Sequence, residues 1–556
     1  MPPSIPDLPP PTTTAITHSQ PALIPVNRLI DNPPTPPPNA PRVAIIGAGS
    51  RGNAYAAALY NAGAAHIVAV AEPRTAVRET FGRTFIWRDS PSSSDGQSFE
   101  SWQDLIDWAR NTNATTANKP PGTGIDLVFV CVQDAMHLAV VRALAELGGL
   151  HILCEKPLAT RLNEVLEMSA ALKAGWARTG RKTVFGVGHV LRYAPHNVLL
   201  RELVRERGVV GDVLSVEHTE PVGWWHFSHS YVRGNWRKEK TSAGSLLTKS
   251  CHDMDFLMWL LCSPPPGSSE EPHLPSQIAS TGSLRYFRKA RKPAAAGDAT
   301  NCLSCPIEES CEFSANNIYV KKHLDVNNTK WPVKIVLPDV EDLLRAQGAA
   351  KTRNQLLDIL REDYSPTTSP DEIEARQWYG RCVYESDNDV CDDQTVTIEW
   401  ADDPLPTTNT NNTNTELGHR GAKTALFHMV ALTEAICARR GRIYGTKGEL
   451  SYDSQDISVY SFATGQTTVH HVPAPQDSGH GGGDDALALN MVKAVSAVQA
   501  GEMDVDAAQW AFLGVDLDEI VRSHAAVFAA EDARTKGVVV QWDEWWAREV
   551  EKKTAI

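Results

Sequence analysis

"RVAIIGAGSRGNAYAAALYNAG", residues 42–63, decides the architecture. An apolar β-run leads into glycines at 47, 49 and 52, and an Ala-rich helix follows. Glycines spaced G-x-G-x-x-G between a strand and a helix have separate tasks. Gly47 permits the tight turn, Gly49 lets the backbone approach a pyrophosphate, and Gly52 lets helix and strand pack closely. The helix N-terminus offers free N–H groups and a partial positive charge to phosphates. Glu72 ends the next strand, "HIVAVAEP", 20 residues after Gly52, where an acidic side chain holds the adenosine ribose hydroxyls. The pattern predicts a dinucleotide site, with Ser50 and Arg51 of the turn as further contacts. Glu72 favours NAD because its charge repels a 2′-phosphate. Arg74, two residues on, would bind that phosphate instead, so NADP stays open.

Outward from this unit the pattern alternates. "SWQDLIDWAR" reads as a helix, "DLVFVCV" as a buried strand, "LAVVRALAELG" as a helix and "HILCEKP" as a strand. Strands alternating with helices predict βαβ units and a parallel sheet, a Rossmann domain over residues 42–162. After that the character changes. "DVLSVEHTEPVG", "TVTIEWA", "RIYGTKGELSYD", "ISVYSFA" and "TTVHHVPA" are strand-like runs with few helices between the later ones. They predict an α+β domain over 163–556 with a large, predominantly antiparallel sheet. A Cys-rich insert spans about 283–395, and low-complexity stretches at 263–277 and 402–421 read as exposed loops. Residues 1–41 hold 14 of the 36 prolines and read as a disordered arm.

At 556 residues the chain exceeds one compact core, and its 42% hydrophobic and 22% charged residues are ordinary for a globular protein. A net charge of −14 argues against nucleic acid and anionic membranes as partners. No apolar run reaches membrane-spanning length. The start, "MPPSIPDLPPPTTT", has neither basic residues nor an apolar stretch, so a cytoplasmic location is expected. The ten cysteines then read as thiols or metal ligands rather than disulfides.

"CEKP", residues 154–157, together with a later His-x-x-Asp helix, resembles the Gfo/Idh/MocA oxidoreductase family. The likeness covers about 42–262 and resumes at "YGTKGELSYD" and "GHGGGDDALALNMVKAV". The resemblance implies a Rossmann half backed by an antiparallel sheet, with substrate between them. It implies hydride transfer between NAD(P) and a secondary alcohol of a sugar, cyclitol or related polyol, and often homo-oligomers. It places Glu155 and His137 beside the cofactor and Lys156 and His252 at the reacting alcohol. Two positions depart from the family pattern. Thr248 stands where many relatives have an aspartate four residues before the histidine. Gln133 stands where many have a proline before His137.

"SLLTKSCHDMDFLMWLL", residues 245–261, interrupts an apolar run with Lys249, His252, Asp253 and Asp255. "GSLLT" reads as a strand and "HDMDFLMWLL" as a helix. On a helix His252 and Asp255 share a face, so Asp255 would orient the imidazole. Oxidising an alcohol needs a base for the hydroxyl proton, which suits histidine. Lys156 would hold the substrate oxygen or carry the proton, and Lys249 would meet substrate as a displaced proton carrier or serve only as a salt-bridge partner. The alternative is a satisfied core histidine with aspartates that complement the helix dipole.

"EPVGWWHFSHSYVRGNWRKE", residues 220–239, is dense in polar aromatic groups. His226, Arg233, Asn235 and Trp236 are candidates for a polyol pocket, with Tyr193 from "GHVLRYAP". A packed hairpin is the other reading. In "NCLSCPIEESCEF", Cys302, Cys305 and Cys311 have C-x2-C-x5-C spacing, which suits a soft metal. Cys382 is the preferred fourth ligand for a structural zinc and Cys391 the second choice; free thiols are the alternative. A polyol dehydrogenase therefore stands beside two other functions. One is a non-enzymatic dinucleotide-binding regulator, the other an NAD-dependent glycoside hydrolase.

Overall fold

The computed structural model describes residues 29–112, 124–264, 270–404, 417–473 and 479–554. The first layer is a six-stranded parallel sheet of β1 (Arg42–Ile46), β2 (His66–Ala71), β3 (Ser98–Phe99), β4 (Leu127–Val130), β5 (His151–Cys154) and β6 (Phe185–Val187). Its order is β3-β2-β1-β4-β5-β6. Helices α1 (Ser50–Ala62), α2 (Thr75–Phe85), α3 (Trp102–Asn111), α4 (His137–Leu147) and α5 (Leu162–Thr179) make the crossovers. Strands β4 and β5 are buried at every position, as covered parallel strands require. α3 starts at Ser101, whose side chain and that of Asp104 form a reciprocal capping box.

The glycine turn has the geometry its spacing predicts. Gly47 has φ +95°, and a Cβ there would lie 2.4 Å from the Cys131 carbonyl oxygen. A Cβ on Gly52 would lie 2.1 Å from the Gly47 carbonyl oxygen and 3.1 Å from Ile45. Both positions therefore exclude any side chain.

The second sheet has nine strands in the order β14-β13-β12-β11-β7-β10-β9-β8-β15. These are β7 (Val213–Pro221), β8 (Gln277–Ser283), β9 (Asp393–Trp400), β10 (Lys423–Val430), β11 (Arg440–Gly445), β12 (Gly448–Tyr452), β13 (Asp456–Ser461), β14 (Thr467–His471) and β15 (Val540–Gln541). Only the β7–β10 pair is parallel. β9 alternates: Gln394, Val396, Ile398 and Trp400 are buried while their neighbours are half-exposed. The buried face packs under the Cys251–Leu261 and Leu517–Lys536 helices.

Two expectations are corrected here. "KTVFGVGHV" lies beyond the boundary drawn at residue 162, yet it forms β6, the edge strand of the parallel sheet. The βαβ alternation simply runs one unit further, because α5 crosses over and returns. "GSLLT" is not a strand; Ser245–Thr248 form a short helix that runs into the Cys251–Leu261 helix. The insert has its own small core, including Ile318, Tyr319, Val333, Leu356 and Leu360. The arm at 1–28 and the loop centres at 265–269 and 405–416 lie outside the described residues.

Candidate active site

The C-terminal ends of β1, β4 and β5 bring the glycine turn and the CEKP loop together, at the edge where open α/β sheets bind ligands. A Cβ on Gly49 would meet nothing within 4 Å, so the backbone there faces open space. Glu72 is buried at the end of β2. One carboxylate oxygen accepts from Ala48 N at 3.1 Å, and the other accepts from Arg74 Nε at 2.8 Å. Arg74 is largely exposed, whereas the Glu72 side chain that it pairs with is buried. A surface cavity lined by Pro34, Tyr60, His66 and Trp108 lies at the opposite, N-terminal edge of the sheet. It contains none of the expected catalytic groups.

Arg51 and Glu155 are bound to each other rather than free for a ligand. Arg51 Nε donates to Glu155 at 2.8 Å, Nη1 to Asp484 at 2.8 Å and Nη2 to the Tyr55 hydroxyl at 2.7 Å. Burial opposes charge on Glu155, but Arg51 and the Tyr55 hydroxyl hold its carboxyl below the usual range. Arg51 and Glu155 thus belong to an ionic cluster under the turn. His137 is likewise enclosed: its ring nitrogens lie 2.8 Å from Pro157 O and 3.2 Å from Val132 O. It ties the β4 loop to the CEKP loop instead of lining a pocket.

Lys156 is half-buried, and its Nζ donates to the Thr248 carbonyl at 3.0 Å. This contact joins the two domains. The Thr248 hydroxyl donates to Gly244 O, so only its backbone reaches the lysine. His252 is 4% exposed, and its Nδ1 has no hydrogen-bond partner. Burial, then Lys156, His189 and His480, push its pKa well below the ordinary histidine value.

Asp255 does not orient His252. Its two oxygens take Arg192 Nε and Nη2, both at 2.7 Å, and Arg192 also binds Glu519. A helical residue three positions from His252 points to the same broad face, but the buried guanidinium claims it. Asp253 takes His218 at 2.9 Å and Arg439 at 2.6 Å. Lys249 Nζ donates to Glu220 at 2.6 Å and lies 3.3 Å from Cys437 Sγ. Burial raises the Glu220 carboxyl to about 7, against the pull of Arg439 and Lys249.

Comparison with known proteins matches these two halves. A family model described as "Oxidoreductase family, NAD-binding Rossmann fold" matches residues 41–178. A second, "Oxidoreductase family, C-terminal alpha/beta domain", matches 201–270. Both matched segments belong to the Gfo/Idh/MocA oxidoreductase family. The 1,5-anhydro-D-fructose reductase of Ensifer adhaerens is 32% identical over 148 residues, 25% of this chain and 39% of that protein. Inositol 2-dehydrogenase 2 of Paenarthrobacter aurescens is 33% identical over 141 residues, 25% of this chain and 38% of that protein. The chain thus spans about two fifths of the length of these curated relatives. An inositol dehydrogenase homologue from Azotobacter vinelandii, solved with NAD+, shares the fold. Its TM-score is 0.54 at 14% identity, over 93% of this chain and 99% of that one. An oxidoreductase domain protein from Kribbella flavida gives 0.53 at 16% identity, over 89% and 97%.

The residues expected in a polyol pocket divide. His226 is half-buried, 3.7 Å from Cys437 Sγ. Trp236 donates from Nε1 to Asp134 at 2.9 Å, bridging to the Rossmann half, and Asn235 is exposed. Arg233 is not a substrate ligand. It is 1% exposed and donates to Arg381 O at 2.6 Å, Phe313 O at 2.8 Å and Cys302 Sγ at 3.3 Å. Tyr193 is also spent on packing, its hydroxyl donating to Leu513 O at 3.0 Å.

Cys302, Cys305, Cys311 and Cys382 line one small pocket, whereas Cys391 lies apart from it. Among the described residues, however, no three histidines, cysteines or carboxylates are arranged to hold a metal ion. Cys302 is engaged with Arg233 instead, so the zinc expectation has no cage here. All ten cysteines are free. Among the described residues no helix is long and apolar enough to cross a membrane.

Sequence reasoning missed three residues of the cleft. His480 and Asp484 sit in "GHGGGDD", a stretch quoted for its likeness and given no role. Cys437 follows no motif. It has φ +56°, uncommon for a non-glycine residue, and stands beside Lys249 and His226.

Proposed function

We propose that the chain is an NAD(P)-dependent oxidoreductase that moves hydride between nicotinamide and a secondary alcohol of a sugar, cyclitol or related polyol. The observation that carries this reading is Lys156, on the CEKP loop, reaching 3.0 Å across the domain boundary to Thr248 O, one turn from His252. That places an ammonium and an imidazole where the glycine turn and the second domain meet. The residues fit a dinucleotide: Gly49 leaves room for backbone approach, and Glu72 stands at the end of β2. The names of the curated relatives, a reductase of an anhydro sugar and an inositol dehydrogenase, support the same substrate class.

Bound nicotinamide supplies the hydride acceptor. The chain's own residues position the alcohol and manage its proton. Lys156, its Nζ shared with Thr248 O, donates to the substrate oxygen and stabilises developing negative charge. His252, desolvated and neutral, offers a hydrogen bond to a substrate hydroxyl. Trp236 and His226 give apolar faces with polar tips, which suit a polyol ring.

NAD is favoured over NADP, since Glu72 would repel a 2′-phosphate while Arg74 pairs with it. Glu72→Ser should shift the preference toward NADP, and an unaltered ratio would mean that another residue sets it. The test of the function is a reduced-cofactor fluorescence screen over sugars and cyclitols with both cofactors. Net cofactor reduction is expected. Binding without turnover of any polyol would favour a regulator, and substrate cleavage without net reduction a glycoside hydrolase.

A further inference from the structure

The cleft does contain an Asp–His pair, but not the one the sequence suggested. His480 lies at the entrance to the Gly483–Gln499 helix with left-handed backbone, φ 50° and ψ 43°. Gly481 and Gly482 continue the left-handed path at φ 65° and 94°, which glycine adopts without strain. Non-glycine residues held this way collect at functional sites. One turn on, the nearly buried Asp484 lies with Oδ1 2.9 Å from His480 Nδ1. Its Oδ2 takes Arg51 Nη1 at 2.8 Å, and Arg51 is itself clamped by Glu155 and Tyr55. The carboxylate is thus anchored from the glycine turn and fixes the ring from behind. A ring that donates Nδ1–H to a carboxylate keeps its lone pair on Nε2. His480 is 33% exposed at its side chain, whereas His252 is enclosed. The two rings are 5.8 Å apart, and His226 and Cys437 lie within electrostatic reach of His480.

We propose that His480, oriented by Asp484, accepts the hydroxyl proton during alcohol oxidation, with Asp484 and Arg51 as positioning residues. This rests on the oxidoreductase reading above. In the step, the O–H bond breaks and its proton goes to Nε2 of His480. The C–H electron pair leaves as hydride to oxidised nicotinamide, and the carbonyl forms. His252 then holds substrate and stores no proton.

The experiment compares wild type, His480→Gln, Asp484→Asn and His252→Gln on a polyol that the wild type oxidises. It adds fluorescence titration with the dinucleotide and a long-range ¹H–¹⁵N spectrum of the histidine rings. His480→Gln should lower kcat/KM by ~10²–10⁴-fold, the range of general acid–base groups, with dinucleotide affinity nearly unchanged. Asp484→Asn should lower kcat/KM by a smaller factor, because the ring loses the carboxylate that fixes it from behind. It should also erase the Nδ1–H signature of His480. His252→Gln should lower the rate while leaving the Nδ1–H signature of His480 in place. A folded His480→Gln enzyme with the parental rate and pH profile overturns the proposal and leaves the oxidoreductase reading standing. A wild type that reduces no cofactor with any polyol removes both.

Discussion

Lys156 and Cys437 show how a single group takes its chemistry from its neighbours. On the proposed reading Lys156→Ala removes the donor to the reacting oxygen, while its domain-bridging contact is to one backbone carbonyl only. Turnover should fall ~10²-fold or more, as when one donor at a developing oxyanion is removed, while dinucleotide binding is kept. Parental turnover in a steady-state assay would show that the lysine only bridges domains. Cys437 is partly exposed and stands beside Lys249. Burial works against its thiolate, but Lys249 and Arg439 outweigh it and lower the thiol's pKa. Burial raises those of Cys154, Cys251 and Cys262. Iodoacetamide at neutral pH should therefore label Cys437 before those three, and Lys249→Met should slow it. Peptide mass spectrometry that finds Cys154 labelled first would contradict this order.

At the scale of elements, two glycines of one turn should fail in different ways. Gly49 faces open space, so Gly49→Val should keep the fold and weaken dinucleotide binding by crowding the pyrophosphate path. Gly52 touches the Gly47 carbonyl and Ile45, so even Gly52→Ala should displace α1 from β1 and lower the melting temperature. Calorimetry and cofactor titration on both variants separate the two roles. Equal melting temperatures would show that the turn has slack. The insert is joined to the second domain by Arg233, which reaches carbonyls of residues 313 and 381 and the Cys302 thiol. It holds segments far apart in the chain, so its work is structural.

Across the whole molecule, buried ion pairs link the layers. Arg192 joins Asp255 of one helix to Glu519 of another, and Arg51 joins the glycine turn to Asp484. Burial opposes charge on Asp255 and Asp484, yet Arg192 and Arg51 hold both carboxyls below their ordinary values. A carboxyl depressed in the folded state adds stability above its unfolded value near 4, and that stability drains as pH falls toward the folded value. The stability that these two carboxyls add should therefore hold at neutral pH and be lost as pH falls below about 4. Asp255→Asn should cost roughly 3–5 kcal/mol at neutral pH, because Arg192 is left buried without its main partner. It should also flatten the acid slope, and an unchanged slope in urea titrations at pH 3 and 7 would contradict this assignment.

Periodicity and glycine spacing were enough to read the parallel sheet, the tight glycine turn before α1, and the late strands β9 and β11–β14. These features are local: buried strands, tight turns and alternating faces each need residues close in sequence. The family motifs pointed to Lys156 and His252 together, and Lys156 reaches Thr248 O, one turn from His252. The local pattern misassigned "GSLLT", since a short apolar run fits a strand or a buried helix equally well. Which charges pair is a different matter. Asp255 chose Arg192, 63 residues away, over His252, and Arg51 chose Asp484, 433 residues away. Arg233 was drawn from a presumed sugar pocket into the core of the insert, and His480 came to the cleft from the far end of the chain. Such partners are selected by burial, because an enclosed charge must take the counter-charge that the folded chain brings within hydrogen-bond reach. Only the tertiary structure specifies which one that is.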